Sequence, residues 1–372
     1  MATTLAAEAT ALNADVVACC PYESCEHLIA LGCYELIAAE ERRIGRLALL
    51  STRGDALSSA LCAVDGTGVL DCAWLPPRPD GAHLLALATS EGTAQLYSLA
   101  TDDGAATAEL VEVGSMACEG AGDACMSLAW SDAPSSRLAL TSTTGMVSVG
   151  ELESASGSGG ALRLLSAWQA HDLEGWAVAF GHHDEHTLYT GADDAMLKRW
   201  DLRSAADGEP PAATASNRRS HRAGVCCLSP HPTREHLLAS GSYDESVRLW
   251  DMRQLRSPLG EHGCGGGVWR LKWHPSRADV LLAACMHAGF AVLKTAGGEV
   301  DESGGEGADG EADAPLPCEL EALALYEAHG LGAGGLGYGA DWRRGAGADG
   351  AADVAATCSF YDRALHLWSV SL

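Results

Sequence analysis

The chain has 372 residues, 47% of them hydrophobic, enough to bury a sizeable core in one large repeat domain or in several ordinary ones. Its longest apolar runs, such as His83–Ala88, are too short to span a bilayer, and 1–15 has neither the basic cluster nor the apolar stretch of a secretory signal, so a soluble cytoplasmic protein is expected. Against 24 Lys and Arg stand 50 Asp and Glu, a net charge of −26, which repels phosphate backbones and argues against nucleic-acid binding.

Residues 1–13 read as an N-terminal tail, followed by a single domain over 14–372. Asp15–Pro21 (DVVACCP), His27–Cys33 and Arg46–Ser51 are predicted strands of a first, irregular unit. Leu70–Pro76 (LDCAWLP) and Leu85–Leu99 open a second, Met126–Trp130 and Leu138–Leu152 a third. Gly175–Phe180 (GWAVAF) precedes Leu188–Arg203 (LYTGADDAMLKRWDLR). Gly224–Pro232 (GVCCLSPHP) precedes Leu238–Arg253 (LASGSYDESVRLWDMR). Gly267–Pro275 (GVWRLKWHP) leads into Leu282–Lys294, and Ala356–Val370 (ATCSFYDRALHLWSV) closes the chain.

Each unit repeats one plan: a short apolar strand, a turn, a second strand, a tight turn carrying Asp, and an alternating strand ending near Trp-Asp. Aligned on that Trp, the units meet at Tyr97, Gly150, Trp200, Trp250, Lys294 and Trp368. The last spacing, 74 residues, exceeds the others because Gly297–Glu321 is inserted, with nine acids and no Lys or Arg. A segment so charged and so poor in apolar residues cannot offset its ordering entropy, so 297–321 is expected to be a disordered acidic loop before the last blade. Gly345–Asp353 reads as a shorter loop of the same kind. Four strands per period is the pattern of a propeller blade, and counting the first unit gives an all-β, seven-bladed WD40 β-propeller.

The WD-repeat resemblance gives several tempting residues a structural role. In that family a His, a Ser or Thr, an Asp and the Trp form a hydrogen-bonded tetrad. Here the sets are His221, Ser240, Asp244 and Trp250, then His171, Thr190, Asp194 and Trp200. A partial third is Cys358, Asp362 and Trp368, with His329. Ser, His and Asp together also invite a hydrolase reading, but buried polar groups need partners and the tetrad supplies them. The chain has no G-x-S-x-G nucleophile elbow and no glycine-rich phosphate loop. Its 14 Cys include no C-x-x-C pair and read as reduced and mostly buried. His182, His183 and His186 in GHHDEH fall in a turn and are read as solvated; no metal and no cofactor is expected.

Several stretches are more specific than generic WD repeats: 166–180, PHPTREHLLASGSYDESVRLWD (230–251), GGVWRLKWHP (266–275), LLAACMHAGF (281–290), YGADW (338–342) and ATCSFYDRALHLW (356–368). Together they resemble the WD-repeat diphthine methyltransferase, or diphthine methylesterase, family. The resemblance implies hydrolysis of the methyl ester of methylated diphthine, a modified His on elongation factor 2, before the final amidation to diphthamide. The implied partners are elongation factor 2 and, further, other enzymes of diphthamide biosynthesis; a monomer is expected.

Such a substrate carries a trimethylammonium, which donates no hydrogen bond and calls for aromatic faces and carboxylates, and an ester, which calls for a base and oxyanion donors. Trp176, Trp269 and Tyr338, at the starts of first strands, share a face with Asp193, Tyr243, His287 and Tyr361 in the turns after second strands. His287 is the candidate base and Cys285 a candidate nucleophile, with a plain turn residue and a buried strand thiol as the competing readings. Trp176, Trp269, Arg270, Tyr338, Tyr361 and Asp193 are the candidate substrate-binding residues; of Arg270 and Lys272, which alternate with Trp269 and Leu271, one is a candidate oxyanion partner, with both pointing to solvent as the competing reading. Two alternatives differ in class: a non-catalytic WD scaffold, and a substrate receptor of a cullin–RING ubiquitin ligase using Arg203 and Arg253 of the two WD-x-Arg sequences.

Overall fold

The computed structural model describes residues 1–102, 107–118, 120, 124–133, 135–153, 160–182, 184–205, 209–296, 319–330, 334–344 and 352–372. Among them, 28 strands form seven four-stranded antiparallel sheets, the blades of a propeller. Six blades are consecutive in sequence, over 13–67, 69–117, 125–169, 175–217, 225–263 and 270–326. The seventh combines Gly337–Trp342, Asp353–Ser359 and Ala364–Val370 with a strand from the other end of the chain, Ala2–Ala9. No helix among the described residues is long and apolar enough to cross a membrane.

The core lies between blades. Val247, Leu249, Val268, Leu271, Leu281 and Leu293 join the fifth blade to the sixth. Val17, Ile29, Val354, Leu365 and Leu367 join the first to the seventh. Strands pack this way because their inner faces alternate small and branched apolar residues that interdigitate across a blade boundary.

Polar stitches run along the inner strands. The indole N–H groups of Trp74, Trp130, Trp273 and Trp342 donate to the carbonyls of Ala18, Ala73, Ser229 and Lys272, each in the preceding blade, at 3.0–3.1 Å. Two inner-strand carboxylates do the same in reverse. Asp71 accepts from the Leu128 amide at 3.1 Å, and Asp341 from Cys19 at 2.8 Å, which ties the last blade to the first.

The predicted tetrads are present, with variations. His171 contacts the Asp194 carboxylate through Nδ1 at 2.9 Å and the Thr190 hydroxyl through Nε2 at 2.7 Å, and Trp200 donates to the same hydroxyl at 2.9 Å. In the next blade Trp250 donates to Ser240 at 2.7 Å and Ser240 meets His221 Nε2 at 3.2 Å. Here Arg248 is interposed: its Nη1 reaches His221 Nδ1 at 2.9 Å and Asp244 at 2.8 Å. An arginine can only donate, so Nδ1 accepts and the ring hydrogen sits on Nε2. Burial, then the Arg248 charge, push His221 down to about 4, which keeps it neutral.

Several expectations are corrected. Ala2–Ala9, placed in the N-terminal tail, pairs with Ala364–Val370 as the outer strand of the last blade. The hydroxyl of the third tetrad is Thr357, not Cys358: Thr357 meets His329 Nε2 at 3.0 Å and accepts from Trp368 at 3.1 Å. The turn there is one residue longer, so counting back from Asp362 lands on Cys358. In the sixth blade Leu281 pairs with Leu293 as Leu238 pairs with Trp250, so Leu293 holds the Trp position rather than Lys294, and Ala283 the hydroxyl position. Of the expected acidic loop, 297–318 lies outside the described residues, while 319–321 begins the strand Glu319–Tyr326, the outer strand of the sixth blade. The insertion therefore falls within that blade, before its last strand. Of the second loop, 345–351 lies outside the described residues and Asp353 opens a strand.

Thr357→Val removes one hydroxyl and leaves both His329 Nε2 and Trp368 Nε1 buried without a partner. It should cost about 2 kcal/mol or more in urea unfolding. Cys358→Ala keeps those bonds and should cost about 1 kcal/mol.

Candidate functional site

One irregularity recurs in the inner strands and builds the site. Register slips between Ala14 and Val16, Val69 and Asp71, Cys125 and Ser127, Gly175 and Ala177, Val225 and Cys227, and Gly337 and Gly339. The extra residues are Asp15, Leu70, Met126, Trp176, Cys226 and Tyr338. In the sixth blade Trp269 holds the same place, just before Arg270–Trp273, its amide bonded to Ala284 at 2.8 Å. A bulge bends its strand and re-aims the unpaired side chain. Seven bulge-position side chains, one per blade, thus ring the mouth of the central channel. Five of them, together with Asp71 and Arg270, line a cavity of ≈ 240 Å³.

Three of the seven are large aromatics, and others join them. Trp176 and Trp269 meet edge-on at 5.3 Å between centroids although a whole blade lies between theirs. The intervening blade offers only Cys226 at its bulge, which leaves room for the contact. Tyr243 lies 6.1 Å from Trp176 and 5.8 Å from Trp269. Trp269 stacks on Tyr338 at 4.8 Å, Tyr338 meets Phe360 at 5.5 Å, and Phe360 meets Tyr34 and Tyr361 at 5.0 Å each. The result is an arc of seven rings from the fourth blade to the first. Asp193 stands on its rim: a Cβ on Gly224 would lie 2.6 Å from the Asp193 carboxylate and 3.3 Å from the Tyr243 ring, so glycine is what allows carboxylate and ring to adjoin there.

Exposure falls steeply inward. Tyr361 is 63% exposed, Trp176, Trp269 and Tyr338 are half-buried, and Asp15 and Asp71 are 3% exposed. Arg270 binds Asp71 at 2.6 Å. Burial opposes the Arg270 charge, but the Asp71 and Asp15 carboxylates outweigh it and hold the guanidinium protonated. Burial pushes the Asp15 carboxyl up to about 7; Arg270 pulls it down and Asp71 pushes it up. Tyr34, Tyr243 and Tyr338 are raised by burial and also feel Asp15, so their hydroxyls stay protonated above it. Three buried donors here, Trp176 Nε1, Trp269 Nε1 and Arg270 Nε, have no partner among the described residues.

The structure brings Trp176, Trp269, Tyr338, Tyr361, Arg270 and Asp193 to this mouth and floor. His287 is exposed in the second-to-third-strand turn of the sixth blade, at the place that Asp194 and Asp244 hold in theirs. Cys285 is fully buried in the core between the fifth and sixth blades, and its thiol is raised well above the usual range by the Cys264 thiol and by burial. A thiol so protonated and enclosed is no nucleophile. The tetrad Ser and Thr hydroxyls are occupied by His and Trp as described. His182 pairs with Asp132 and His186 accepts from Arg137 at 3.3 Å, while His183 lies outside the described residues. Arg203 and Arg253 each clamp the Asp two residues earlier, Asp201 and Asp251, through paired bonds of 2.8–3.0 Å.

Asp15, Asp71, Tyr34 and Phe360 were not singled out from the sequence. A signal exists: Asp15 and Asp71 are lone acids in otherwise apolar inner strands, DVVACC and LDCAW. Asp15 also sets a pH dependence. The unfolded carboxyl releases its proton near 4 and the folded one near 7, so stability falls as pH rises through that window. Asp15→Asn should therefore raise unfolding free energy at pH 8 by roughly 2–4 kcal/mol, with the gain vanishing below pH ~4, read by urea titration.

Residues 214–251 match the family described as WD domain, G-beta repeat. The chain is 34% identical over 313 residues to the human protein named diphthine methyltransferase, covering 76% of this chain and 66% of that one. Against the mouse protein of that name it is 37% identical over 311 residues, covering 76% and 61%. The Schizosaccharomyces pombe protein of the same name matches at 27% over 345 residues, 92% of this chain and 91% of that one. The chain thus spans somewhat under two-thirds of the length of the two mammalian relatives. Among solved structures, Sqt1 from Chaetomium thermophilum has the same fold, with a TM-score of 0.69 at 15% identity over 99% of each chain. On the extent of these matches, the chain belongs to the WD-repeat diphthine methyltransferase family.

Proposed function

We propose that this protein hydrolyses the methyl ester of methylated diphthine on elongation factor 2, giving the diphthine that is then amidated to diphthamide. The observation that carries the reading is the aromatic arc at the channel mouth, with carboxylates on its rim and floor. A trimethylammonium spreads its charge over methyl groups and cannot donate a hydrogen bond. It is held by π faces at van der Waals distance and by nearby negative charge, worth about 0.5–2 kcal/mol per ring. Trp176, Trp269, Tyr243 and Tyr338 offer such faces, and Asp193 adjoins them.

Family membership supports the substrate, since the relatives are named for diphthine. Their names speak of methyl transfer. Removal of the methyl by water is the reading taken here, supported by the charged Asp71–Arg270 pair that lines the same cavity as Trp176 and Trp269. The modified histidine is a protein side chain, so the exposed rim around Tyr361 and Asp193 would face elongation factor 2 while the side chain descends into the channel. On this reading the reaction is cytoplasmic and the protein acts on its substrate as a monomer.

Incubation with elongation factor 2 carrying methylated diphthine, followed by intact mass, should show loss of one methylene's mass in a time- and enzyme-dependent way. An unchanged mass with verified substrate would reject the reading. Trp269→Ala and Trp176→Ala should each lower kcat/KM by roughly 3- to 30-fold. Arg203→Ala/Arg253→Ala, on side chains clamped to Asp201 and Asp251, should leave turnover as in the wild type.

A further inference from the structure

We infer that Asp15 is the general base of this site and that Arg270, fixed by Asp71, meets the developing oxyanion. The inference rests on the ester-hydrolysis reading above and assigns its chemistry to residues.

The geometry comes first. Asp15 is the bulge residue of the first blade, the one carboxylate among the seven bulge-position side chains of the mouth. It interacts with groups on four other blades: Asp71 on the second, Tyr243 on the fifth, Arg270 on the sixth and Tyr338 on the seventh. The residues at the equivalent place in five other blades, Leu70, Met126, Trp176, Cys226 and Trp269, line the channel cavity, and the slip between Ala14 and Val16 puts Asp15 at that same level of the ring. Its own blade contributes Cys33 and Tyr34, and the seventh adds Cys358. Of these groups only Arg270 is cationic.

The second observation is independent. Buried donors without partners are rare in folded proteins and call for an explanation. Three of them, the indole nitrogens of Trp176 and Trp269 and Nε of Arg270, lie within this one mouth and floor. They form a set of acceptor-seeking N–H groups gathered on residues that line one cavity. An ester carbonyl that gains negative charge would supply the acceptor.

The step balances without any further reactant. Water attacks the ester carbonyl carbon while one of its protons passes to the Asp15 carboxylate. The carbonyl π pair moves onto oxygen, facing Arg270. Collapse of the tetrahedral intermediate breaks the bond to the methoxy oxygen, which takes the proton from Asp15 and leaves as methanol. The product carboxylic acid then ionises. A carboxylate poised near neutrality suits both transfers. The Asp71–Arg270 ion pair, 2.6 Å long, is the positioning element: Asp71 holds the guanidinium and its negative charge keeps Asp15 basic.

The test uses elongation factor 2 carrying methylated diphthine. Asp15→Asn should lower kcat by about 10²- to 10⁴-fold. It should retain affinity for the demethylated product within a few fold, read by quenching of Trp176 and Trp269. Wild-type kcat/KM should climb through an acid limb near pH 7. Asp71→Asn removes the neighbouring anion and should shift that limb to lower pH, a change that a merely structural role would not produce. Asp15→Asn turnover within threefold of wild type overturns the assignment, as does a wild-type rate flat across pH 5.5 to 8.5. Should Asp15→Asn fail to fold, the wild-type and Asp71→Asn profiles decide alone. A wild-type protein without esterase activity takes down the parent reading and this one together; an active wild type with an active Asp15→Asn takes down only this one.

Discussion

The inner strand of a blade has one residue more than the second strand can pair. Six times the ladder slips at the same place, and each slip turns one side chain out of the sheet and toward the axis. Closed into a ring, seven such side chains converge where a flat strand would have presented backbone. Everything else at the mouth follows from which residue occupies each slip. Small Cys226 lets Trp176 and Trp269 touch across it, Tyr338 extends the stack, and Asp15 places a charge where apolar neighbours would otherwise meet. Lower in the channel, indole and carboxylate stitches between adjacent blades hold the ring rigid enough for the rings to keep their spacing.

The arrangement sets stability against chemistry. A carboxyl that must lose its proton in a buried setting makes the folded state less stable at neutral pH than an amide would. The second carboxylate and the guanidinium do not remove that cost. Asp71 adds to it while Arg270 offsets part of it. Sites that keep such a conflict are common where a group must be reactive, because the same desolvation that destabilises the ion makes it a better base.

Repeats made the fold legible. LASGSYDESVRLWD could be read because the tetrad demands particular residue types at fixed separations; the His171 set bonds as expected, while in the His221 set Arg248 stands between the ring and Asp244. Where a turn gains a residue, as between Thr357 and Asp362, counting fails and Cys358 is taken for its neighbour. Trp176, Trp269 and Tyr338 were readable from their places at strand starts and Tyr243 and Tyr361 from their turns, whereas Tyr34 and Phe360 join the arc only through contacts made in the fold. Asp15 was not readable, because its significance depends on Arg270 lying across the ring, a relation no local pattern carries. Ala2–Ala9 escaped notice for a similar reason: ATTLAAEA has small, largely exposed residues and no clean alternation, and only its partner at the far end of the chain makes it a strand.

That pairing has a kinetic side. Ala2 lies beside Val370, so the ring closes only when segments separated by nearly the whole chain find each other. Six blades can form from neighbouring hairpins as they are synthesised, but the seventh cannot be completed until its third strand, Ala364–Val370, has emerged. Until then the N-terminal strand has nothing to pair with, and afterwards the buried, apolar ALHLWSV edge stays open to any other strand until Ala2–Ala9 docks. The slowest step of folding is therefore expected to be this last capture. The interval before it is when a second copy could donate its own N-terminal strand and produce an exchanged pair.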